Sequence, residues 1–598
     1  MRFHTCLLTA ACAVGFLGTA VAAPHHHFRA RASDAGPTQS STLITTSIIL
    51  NVTNRQALED FVADTTTPGS PDYHRFLSIG QFRDRFAPSN RDIRQFVRYL
   101  ESFGISVEKI YPDNLDITAT GTAGEFAAAF STQLHDYTRN GHRFHRPEWK
   151  FVLPGGLSSL VLAAPGLDNE PGEFRPKIVH LGQGAFAKEA APAVTWTDGP
   201  GEYTVRDVAR FYDVNPLYHE GIDGRGQTVG IMTLANFNES DVYAYWKDVG
   251  LRVRPHRITK VMVDGGTPVA TQAGDDETSL DVEQSGGIAP QAKIRVYIAA
   301  NTLNGFLDLF YAAASENQAD SVSISWGQPE EEYFAALNGG VDYTNQLTAM
   351  DQALLEGAAQ GQSFFAASGD SGAYDVNNSQ IAPVPLFSKQ LTVDAPASDP
   401  YITAAGGTTV AATEPAIPKD GCPAITIPAE QVWGWDYLAS DWAGCLGNLT
   451  PPLTAADLFP SGGGGGVSSF WPVPFYQQSV AGMEPTQPGQ SLIYYPNYPS
   501  LDGAEDLIDL PADFPGRNTP DLSLNADPQT GYIVVDCTDF PASAANPGCA
   551  SAGWGGTSFV APQLNGLTAL IDESAGGRVG LLNPAIYWLQ RHSVDRAW

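Results

Sequence analysis

From Tyr203 onward the chain alternates short apolar segments with stretches of helical periodicity, and this alternation restricts the folds it can adopt. Strands that are apolar throughout are typical of a parallel sheet that helices cover on both faces. Such segments occur in the order "QTVGIMTLA", "AKIRVYIAA", "DSVSISWG", "SFFAASGD" and "YITAAGG". They predict an α/β fold with a doubly wound parallel sheet over residues 203–598. Catalytic residues are then expected at the carboxyl ends of the strands.

The preceding part of the chain predicts a small α+β domain over residues 40–170. Leu43 to Val52 is β-branched and alternating, as a strand is, and a helix is expected after Ser89 or Asn90. A chain of 598 residues is long enough for two such cores. Residues 181–202, rich in Gly, Ala and Pro, predict an exposed linker that a protease can cut.

Residues 1–22 predict a secretory signal peptide. Arg2 supplies the positive end, Leu7 to Val21 is apolar, and Ala20-Val21-Ala22 forms a cleavage site of small residues. The apolar run is short for a membrane anchor, and no later stretch is long and apolar enough to span a bilayer. We therefore expect an exported protein, extracellular or periplasmic, with no membrane partner.

Removal of the signal leaves four cysteines, Cys422, Cys445, Cys537 and Cys549. An even number of cysteines in an exported chain favours disulfides. Pairing neighbours in sequence would join Cys422 to Cys445 and Cys537 to Cys549, and two other connectivities stay open.

Acidic residues dominate the second part of the chain. The net charge is −31, and residues 195–598 hold 16 basic and 47 acidic residues, whereas residues 24–194 are nearly balanced. A basic patch is absent, which argues against a nucleic-acid partner. The acidic surface fits either solubility alone or work in acid, where most carboxylates become neutral and few basic groups remain to repel one another.

The segment "GGTSFVAPQLNGLTALID" predicts a nucleophilic serine, Ser558, at the start of a helix. Apolar residues recur at helical spacing, and Pro562 lies in about the first turn, where its missing N–H is tolerated. A serine there can serve merely as a helix cap. The complete Gly-Thr-Ser-x-x-x-Pro pattern instead favours the nucleophile of a subtilisin-like protease, placed where the helix dipole stabilises an oxyanion.

The base that should activate this serine is not a histidine. After residue 195 only His219, His256 and His592 occur, and none lies in a His-Gly-Thr context. In "DDETSLDVEQSGGIAP", by contrast, Glu277 and Asp281 are four apart and share one face of a predicted helix, which Gly286 and Gly287 can end. Two such carboxyl groups titrate as a pair, one pKa rising and one falling, so that one can accept a proton in acid.

Asp370, in "FFAASGDSGAYD", is the candidate oxyanion residue. Subtilisins carry an asparagine in a similar context, and a protonated aspartic acid can donate a hydrogen bond as that amide does. The alternative is an aspartate that merely stabilises a glycine-flanked turn. Asp370 would assist the reaction only while neutral, which again points to acid or to a raised pKa.

Together these residues resemble the sedolisin family of serine-carboxyl peptidases. Similar segments include "SISWGQPE", "VDAPASDPYITAAGGTT", "SGGGGGVSSFWPVPFYQ" and "RNTPDLSLNADPQTGYIVV", and the first domain, with "PGSPDYHRFLSIGQFRDRF", is similar to the kumamolisin-type activation domain. The resemblance implies a subtilisin-like fold, a triad of Ser558, Glu277 and Asp281, and Asp370 as oxyanion residue. It also implies that the prodomain is cut off within residues 181–202 and that the glycine run borders the substrate cleft.

The family also implies calcium, held by an Asp-Ile pair and a later Gly-rich loop that ends in Asp. Here "LLNPAIYWLQRHSVDRAW" ends before such a segment, and Asp595 is not in that context. We therefore assign no metal ligand and no cofactor, and we expect that this domain is truncated or has lost the site.

The predicted function is that of an acid-acting serine endopeptidase, made as a monomeric zymogen, that hydrolyses protein or peptide substrates. Its own prodomain is expected to act as an intramolecular inhibitor and chaperone. A tripeptidyl aminopeptidase stays open as an alternative, because the family includes both modes, and so does a catalytically dead exported homologue.

Histidines suggest how activation responds to pH. Eight of the twelve lie between Pro24 and His180, and they gain charge in acid while the catalytic domain loses it. Docking of the prodomain is therefore predicted to change with pH through its folded-region histidines, His74, His135, His142, His145 and His180.

Overall fold

The computed structural model describes residues 32–139, 141–172, 174–180, 199–269, 274–377, 390–449, 452–495, 500, 502–538 and 548–592. The predicted signal peptide and residues 181–198 of the predicted linker lie outside the described residues. Within the described ranges, no helix is long and apolar enough to cross a membrane.

Residues 33–163 form two antiparallel sheets with four helices. The strands are β1 (Ser33–Pro37), β2 (Leu43–Leu50), β3 (Ser106–Ile110), β4 (Asp116–Thr122), β5 (Leu134–Arg139), β6 (His142–Pro147) and β7 (Val161–Ala163), and the helices are α1 (Arg55–Thr66), α2 (Ile79–Phe86), α3 (Asn90–Glu101) and α4 (Ala123–Ala129). The sheets have the orders β3-β4-β2-β7 and β1-β5-β6. The predicted small α+β domain is confirmed, and Ser89 caps α3 by accepting the Asp92 N–H.

The rest of the described chain holds the larger domain and the short strands that precede it. Its elements are β8 (Arg175–Pro176), β9 (Val179–His180), α5 (Val205–Phe211), α6 (Asn215–His219), β10 (Thr228–Thr233), α7 (Glu239–Asp248), β11 (Ile258–Met262), α8 (Asp275–Ile288), β12 (Lys293–Ile298), α9 (Leu303–Glu316), β13 (Ser321–Ile324), β14 (Trp326–Pro329), α10 (Thr344–Ala359), β15 (Ser363–Ala367), β16 (Asp394–Ala395), β17 (Thr403–Thr409), β18 (Ala412–Glu414), β19 (Ile425–Ile427), β20 (Gln431–Val432), α11 (Asp436–Asp441), α12 (Ala455–Leu458), β21 (Gly466–Pro472), β22 (Ser491–Tyr494), β23 (Glu505–Asp509), β24 (Gly516–Thr519), β25 (Leu522–Asn525), β26 (Tyr532–Val535), β27 (Ala550–Gly555), α13 (Thr557–Ala575) and α14 (Asn583–His592).

A parallel sheet is the centre of this domain, as the sequence predicts. Its order is β11-β12-β10-β13-β15-β17-β25, and β20 adds to β17 in the antiparallel direction. Strand β10 lies between β12 and β13, with Val229 beside Ser321 and Ile231 beside Val296 in the parallel registers. The chain therefore leaves β10 towards one side of the sheet and later returns to the other. A ligand crevice is expected at such a switch point, outside the carboxyl ends of the strands.

Helices cover both faces of the sheet. Helices α8 and α13 pack along each other on one face, and α9 packs against α10 on the other. The β11–α8–β12 and β12–α9–β13 connections step in the same direction across the sheet, but their helices lie on opposite faces. One of the two connections is therefore left-handed, against the usual right-handed rule. This arrangement brings α8, with its two predicted carboxylates, beside the helix that carries Ser558.

The small domain docks on the face formed by α9 and α10. The Ser47 hydroxyl donates to Asp308 at 2.7 Å, the Val52 N–H donates to the Gln352 side chain at 2.9 Å, and apolar residues of both domains form one continuous core. Strand β2 is consequently buried on both faces over most of its length, although the sequence predicts an alternating strand from Leu43.

Two disulfides join sequence neighbours. Cys422 is bonded to Cys445 and Cys537 to Cys549. Of the three connectivities left open by the sequence, the structure has the one that closes two short loops.

Candidate active site

Ser558 is the second residue of α13, directly after β27 and a glycine corner. Gly556 has a φ of 102°, a conformation that strongly favours glycine, and it turns the chain from strand to helix. The Ser558 backbone N–H points out of the first turn, where helix N–H groups lack a partner within the helix. Ser558 is fully buried in this structure.

Pro562 lies deeper in α13 than predicted. It is the sixth helical residue rather than part of the first turn, so it removes the N–H that would have bonded to the Ser558 carbonyl. The Ser325 hydroxyl lies 3.4 Å from that carbonyl oxygen and takes up part of the missing role. The proline thus leaves the catalytic turn open to a side chain from the end of β13.

Glu277 and Asp281 lie on α8, as predicted, but the helix does not end at Gly286 and Gly287. It continues to Ile288, and both glycines are inside it. A Cβ at Gly286 would collide with Trp246, and one at Gly287 would lie 2.8 Å from Val205. The glycines therefore allow close packing of neighbouring helices instead of terminating this one.

The two carboxyl groups are buried beside Ser558. Both side chains have no exposed surface, and the Ser325 hydroxyl donates to Asp281 Oδ1 at 2.7 Å. Burial raises the pKa of Glu277 well above its ordinary value, the charge of Asp281 raises it further, and the nearby Ser558 hydroxyl opposes this rise. Glu277 and Ser558 are thus neighbours, although neither side chain makes a hydrogen bond of regular geometry here.

Burial also raises the pKa of Asp281, against the hydrogen bond from Ser325. The prediction that one of the two pKa values falls is therefore wrong, because both are raised in this structure. With both groups removed from water, loss of solvation outweighs every hydrogen bond that favours the charged form.

Asp370 follows β15 and faces the start of α13. The Thr557 N–H donates to Asp370 Oδ1 at 2.7 Å, while Asp370 Oδ2 has no hydrogen-bond partner. Burial raises the pKa of Asp370 to about 7, against the Thr557 N–H and the charge of Lys177, which lower it. Below that pH the carboxyl is protonated and has an O–H to donate from beside the helix N-terminus.

The glycine run lies against the Asp370 loop. The Gly464 N–H donates to the Gly369 carbonyl at 2.7 Å, and the Gly462 N–H donates to the Asp370 carbonyl at 3.1 Å. A Cβ at Gly464 would collide with the Ser368 carbonyl. Only glycine permits this backbone contact, which fixes the loop that carries Asp370.

A segment of the same chain, residues 175–180, crosses the site. Strand β8 pairs with β14, and β9 pairs with β27, on either side of Ser558. Between them, the Ser558 N–H donates to the Lys177 carbonyl oxygen at 2.9 Å. The backbone N–H of the candidate nucleophile thus binds a peptide carbonyl, as an oxyanion donor would.

Histidines of the large domain take no part in this arrangement. His219 and His256 are exposed, and His592 is exposed at the last turn of α14. The cluster around Ser558 contains carboxyl groups instead, in keeping with the sequence, in which no histidine has the context of a catalytic base.

No calcium site is found among the described residues. In this part of the chain, no three His, Cys, Asp or Glu side chains are placed to hold a metal ion. No step of the chemistry below uses a metal.

Sequence reasoning did not find Ser325, Thr557 or the segment around Lys177. Ser325 belongs to "SISWGQPE" and Thr557 to the serine motif, so both lay within segments already noted. Their contacts join positions far apart in the sequence, 44 residues for Ser325 with Asp281 and 187 for Thr557 with Asp370. Spacing along the chain carries no signal of such contacts.

Comparison with known proteins gives matches along most of the chain. Residues 30–170 match the family described as Pro-kumamolisin, activation domain. Kumamolisin of Bacillus sp. (strain MN-32) is 28% identical over 569 residues, 94% of this chain and 85% of kumamolisin. Sedolisin of Pseudomonas sp. (strain 101) is 25% identical over 549 residues, 90% of this chain and 78% of sedolisin.

Other matches are more distant. Tripeptidyl-peptidase 1 of Macaca fascicularis is 24% identical over 565 residues, 90% of this chain and 81% of that protein. A solved structure of Pseudomonas sedolisin, complexed with two molecules of pseudo-iodotyrostatin, aligns with a TM-score of 0.43 at 23% identity, over 62% of this chain and 80% of that chain.

Proposed function

We propose that this chain, which is similar to kumamolisin and sedolisin and carries a prodomain, is an exported serine-carboxyl endopeptidase that works in acid and is made as a zymogen. The observation that carries the proposal is the 2.9 Å hydrogen bond from the Ser558 N–H to a peptide carbonyl, with Glu277 and Asp370 buried around it. A substrate peptide held in this way has its carbonyl polarised beside a serine and a carboxylate base.

In the proposed reaction, Glu277 accepts the proton of Ser558 as Oγ attacks the carbonyl carbon. Asp281, held by Ser325, orients Glu277 and shares its charge. The Ser558 N–H and protonated Asp370 stabilise the oxyanion. Glu277 then protonates the leaving amine, and water repeats the cycle on the acyl-enzyme.

The two carboxyl roles limit the active pH range from opposite sides. Asp370 must be protonated to donate, and its pKa of about 7 keeps it so in acid. Glu277 must be ionised to accept, which the Glu277–Asp281 pair allows only while it carries at least one negative charge. We expect the rate to fall on the alkaline side as Asp370 ionises and on the acid side as the pair becomes fully protonated.

An endopeptidase fits the cleft better than the tripeptidyl aminopeptidase that some relatives' names suggest. A tripeptidyl enzyme needs a free amino group three residues before the cut. Here the chain continues past Arg175 to Phe174, whose ring stacks on Phe306 at 3.8 Å and whose carbonyl accepts from Asn301 at 2.8 Å. Peptides with blocked N-termini decide between the two, because only an endopeptidase cuts them.

The central test is self-cleavage of the purified precursor in acid. Ser558→Ala should abolish cleavage of both the precursor and an added denatured protein, a loss of about 10⁴-fold or more. Ser440→Ala, at an exposed position, is the matched control. The proposal would be contradicted if Ser558→Ala cleaved as fast as the control. An inactive wild-type chain would favour the catalytically dead homologue.

Export is proposed from the apolar N-terminal run, and the two disulfides agree with an oxidising compartment. Deletion of residues 2–22 should abolish secretion in an expression host that exports the full chain. Equal amounts in the culture medium with and without these residues would count against a signal peptide.

A further inference from the structure

Strand β21 contains a bulge, residues 468–471, that interrupts its pairing with β24. Val467 pairs with Asn518, and the next pair along the two strands is Pro472 with Gly516. Residues of a bulge leave the ladder of strand hydrogen bonds, so their N–H groups need other acceptors. In this bulge the acceptors are side chains.

Glu330, in the short helical turn after β14, accepts hydrogen bonds from the bulge. Its Oε2 accepts the Ser468 hydroxyl at 2.6 Å, and its Oε1 accepts the Ser469 N–H at 2.8 Å and the Ser469 hydroxyl at 3.0 Å. The Ser468 oxygen in turn accepts the N–H groups of Phe470 at 3.1 Å and Trp471 at 2.7 Å. Glu330 thus takes the place of the missing strand partner.

These contacts need one proton more than the two serines supply. The Ser468 oxygen accepts two N–H groups, which occupy both of its lone pairs, so its hydrogen goes to Glu330. The Ser469 oxygen lies 3.0 Å from Glu330 Oε1 and 3.1 Å from Glu331 Oε1, but its hydroxyl has a single hydrogen. One of the two carboxyl groups therefore carries a proton and donates it to the Ser469 oxygen.

The proton belongs to Glu331. Glu330 already accepts on both oxygens, whereas in the described part of the chain Glu331 Oε2 has no hydrogen-bond partner. Both groups are buried, where two adjacent charges would repel each other strongly. Burial raises the pKa of Glu331 well above its ordinary value, the charges of Glu330 and Asp375 add to the rise, and the Ser469 hydroxyl opposes it. Ionised Glu330 and protonated Glu331 are named the bulge pair below.

The bulge fixes the glycine run that covers the Asp370 loop. The run, residues 462–466, is joined to Ser468 through a single residue. Besides the backbone contacts described above, its Gly464 carbonyl accepts the Ser368 hydroxyl at 2.8 Å. A run of glycines has high backbone freedom and no side chains to hold it, so the contacts at its ends determine its position.

We propose that Glu330 and Glu331 are positioning residues of the peptidase, which hold the bulge and, through the glycine run, keep the Asp370 loop buried against the start of α13. This inference rests on the proposed function, in which Asp370 is an oxyanion donor. The bulge pair acts through the backbone of the glycine run and has no part in the transfer of protons to or from Ser558.

The pKa of Asp370 reports whether its loop stays buried. Burial raises that pKa to about 7, against the Thr557 N–H and the charge of Lys177. Asp375 adds to the rise, and the charge of Asp370 in turn raises the pKa of Glu277. If the glycine run loosens, water reaches Asp370, and its pKa falls towards the ordinary value of a solvated carboxyl group. The alkaline limb of the activity profile then moves to lower pH, which a general loss of stability would not cause.

The first test compares the same substitution at the two glutamates, with an N-blocked peptide as substrate. Glu331→Gln keeps a donor for the Ser469 oxygen, so kcat, KM and the alkaline limb should stay as in the wild type. Glu330→Gln turns an NH₂ group towards the donors of the bulge. We expect its kcat to fall by about 10-fold or more, with a smaller change in KM, and its alkaline limb to move by about one pH unit or more. Glu220→Gln, at an exposed position, is the control.

Equal effects of Glu330→Gln and Glu331→Gln would overturn the assignment of the proton. A lower kcat with an unmoved alkaline limb in Glu330→Gln would overturn the positioning role. If the wild-type chain cleaves neither its own precursor nor a denatured protein, the proposed function itself fails, and a measurement that needs no activity decides on the bulge pair.

That measurement is hydrogen exchange in the Ser558→Ala precursor at a single acid pH. Glu330→Gln should reduce the protection of the amides of residues 469–471 by about 10-fold or more, because it removes their acceptor, whereas Glu331→Gln and Glu220→Gln should not. An equal loss in β10, at the centre of the parallel sheet, would make Glu330 a general stabiliser. Unchanged protection in Glu330→Gln would show that other contacts hold the bulge. Either result would overturn the proposal.

Discussion

In the proposed reaction, Asp370 can assist only as the protonated acid. An ionised aspartate has no proton to donate and would repel the oxyanion, whereas the acid donates as an amide does. Burial raises its pKa to about 7, so the group is neutral over the whole acid range. The same residue in a solvated loop would be ionised above about pH 4.

Asp370→Asn should therefore extend activity to higher pH. The amide keeps an acceptor for the Thr557 N–H and a donor for the oxyanion, but it does not ionise as pH rises through about 7. Profiles of kcat/KM between pH 3 and 9 should lose their alkaline limb in this variant and keep it in Asp248→Asn, an exposed control.

Asp370→Ala should lower kcat by about 10²–10³-fold in acid, since it removes one oxyanion donor, and by less above about pH 7, where the wild-type carboxyl is itself ionised. If Asp370→Asn retains the wild-type alkaline limb, that limb belongs to another group.

Residue identity was the part of the site that the sequence predicted best. Ser558, Glu277, Asp281 and Asp370 lie together, because a nucleophile motif without a histidine left few other candidates. What the sequence could not supply was their environment. Whether Asp281 is solvated or buried depends on packing between α8 and α13, and this packing decides the direction of its pKa shift.

At the scale of elements, the contact between α8 and α13 sets the distance from Glu277 to Ser558. Gly566 of α13 faces α8, and a Cβ there would lie 2.7 Å from the Ser285 carbonyl. The Ser285 hydroxyl also donates to the Pro562 carbonyl at 2.9 Å, which joins the two helices. From the sequence, Gly286 and Gly287 suggested the end of α8, because the sequence does not show which neighbour packs against a missing side chain.

Gly566→Ala should destabilise the large domain although alanine is the better helix former. The helices would have to separate by several tenths of an ångström, at about 1–3 kcal/mol for such overpacking, and Glu277 would move away from Ser558. We expect a lower melting temperature together with a lower kcat.

Gly577→Ala, just beyond the same helix, is the control, because a Cβ there meets no atom within 4 Å. Equal stability of the two variants would mean that the helix contact is looser than the structure indicates.

Strand β9 contains His180, the histidine of the segment that crosses the candidate active site. The His180 ring stacks on Trp554 with centroids 4.0 Å apart, and its Nε2 lies 3.1 Å from the Ser551 hydroxyl. Burial lowers the pKa of His180 to about 4, against a hydrogen bond with the Ala552 carbonyl. Its docking is therefore favoured fully above about pH 6.5 and weakens as pH falls towards 4.

His180→Phe should keep the stacking and remove this response to acid. In an uncleavable Ser558→Ala precursor, amide protection in β9 should fall between pH 6.5 and 4, and the additional His180→Phe change should preserve it. Protection factors from hydrogen exchange, corrected for the intrinsic rate at each pH, measure the effect. A parallel loss in both proteins would assign the acid response to other groups, among them the remaining prodomain histidines.

Over the whole molecule, carboxyl groups at the docking surface oppose the effect of His180. Asp116 of the prodomain and Asp308 of α9 are both buried, and Ser47 of β2 donates to Asp308 at 2.7 Å. Burial raises the pKa of each group well above its ordinary value, the charges of Asp113 and Asp264 add to the rise for Asp116, and the charges of Asp264 and Asp116 add to it for Asp308. The long-range pairing that creates this surface could not be predicted from the sequence, although both domains were.

The docked precursor should accordingly lose stability as pH rises above about 4. A carboxyl group whose pKa is raised by docking contributes most when protonated, and the contribution is lost as pH rises through the raised value. In the Ser558→Ala precursor, Asp116→Asn with Asp308→Asn should flatten the dependence of the melting temperature between pH 4 and 8, because neither amide ionises. Asp248→Asn should leave the wild-type slope unchanged. If the double variant keeps that slope, the dependence of the precursor's stability on pH arises from other titratable groups.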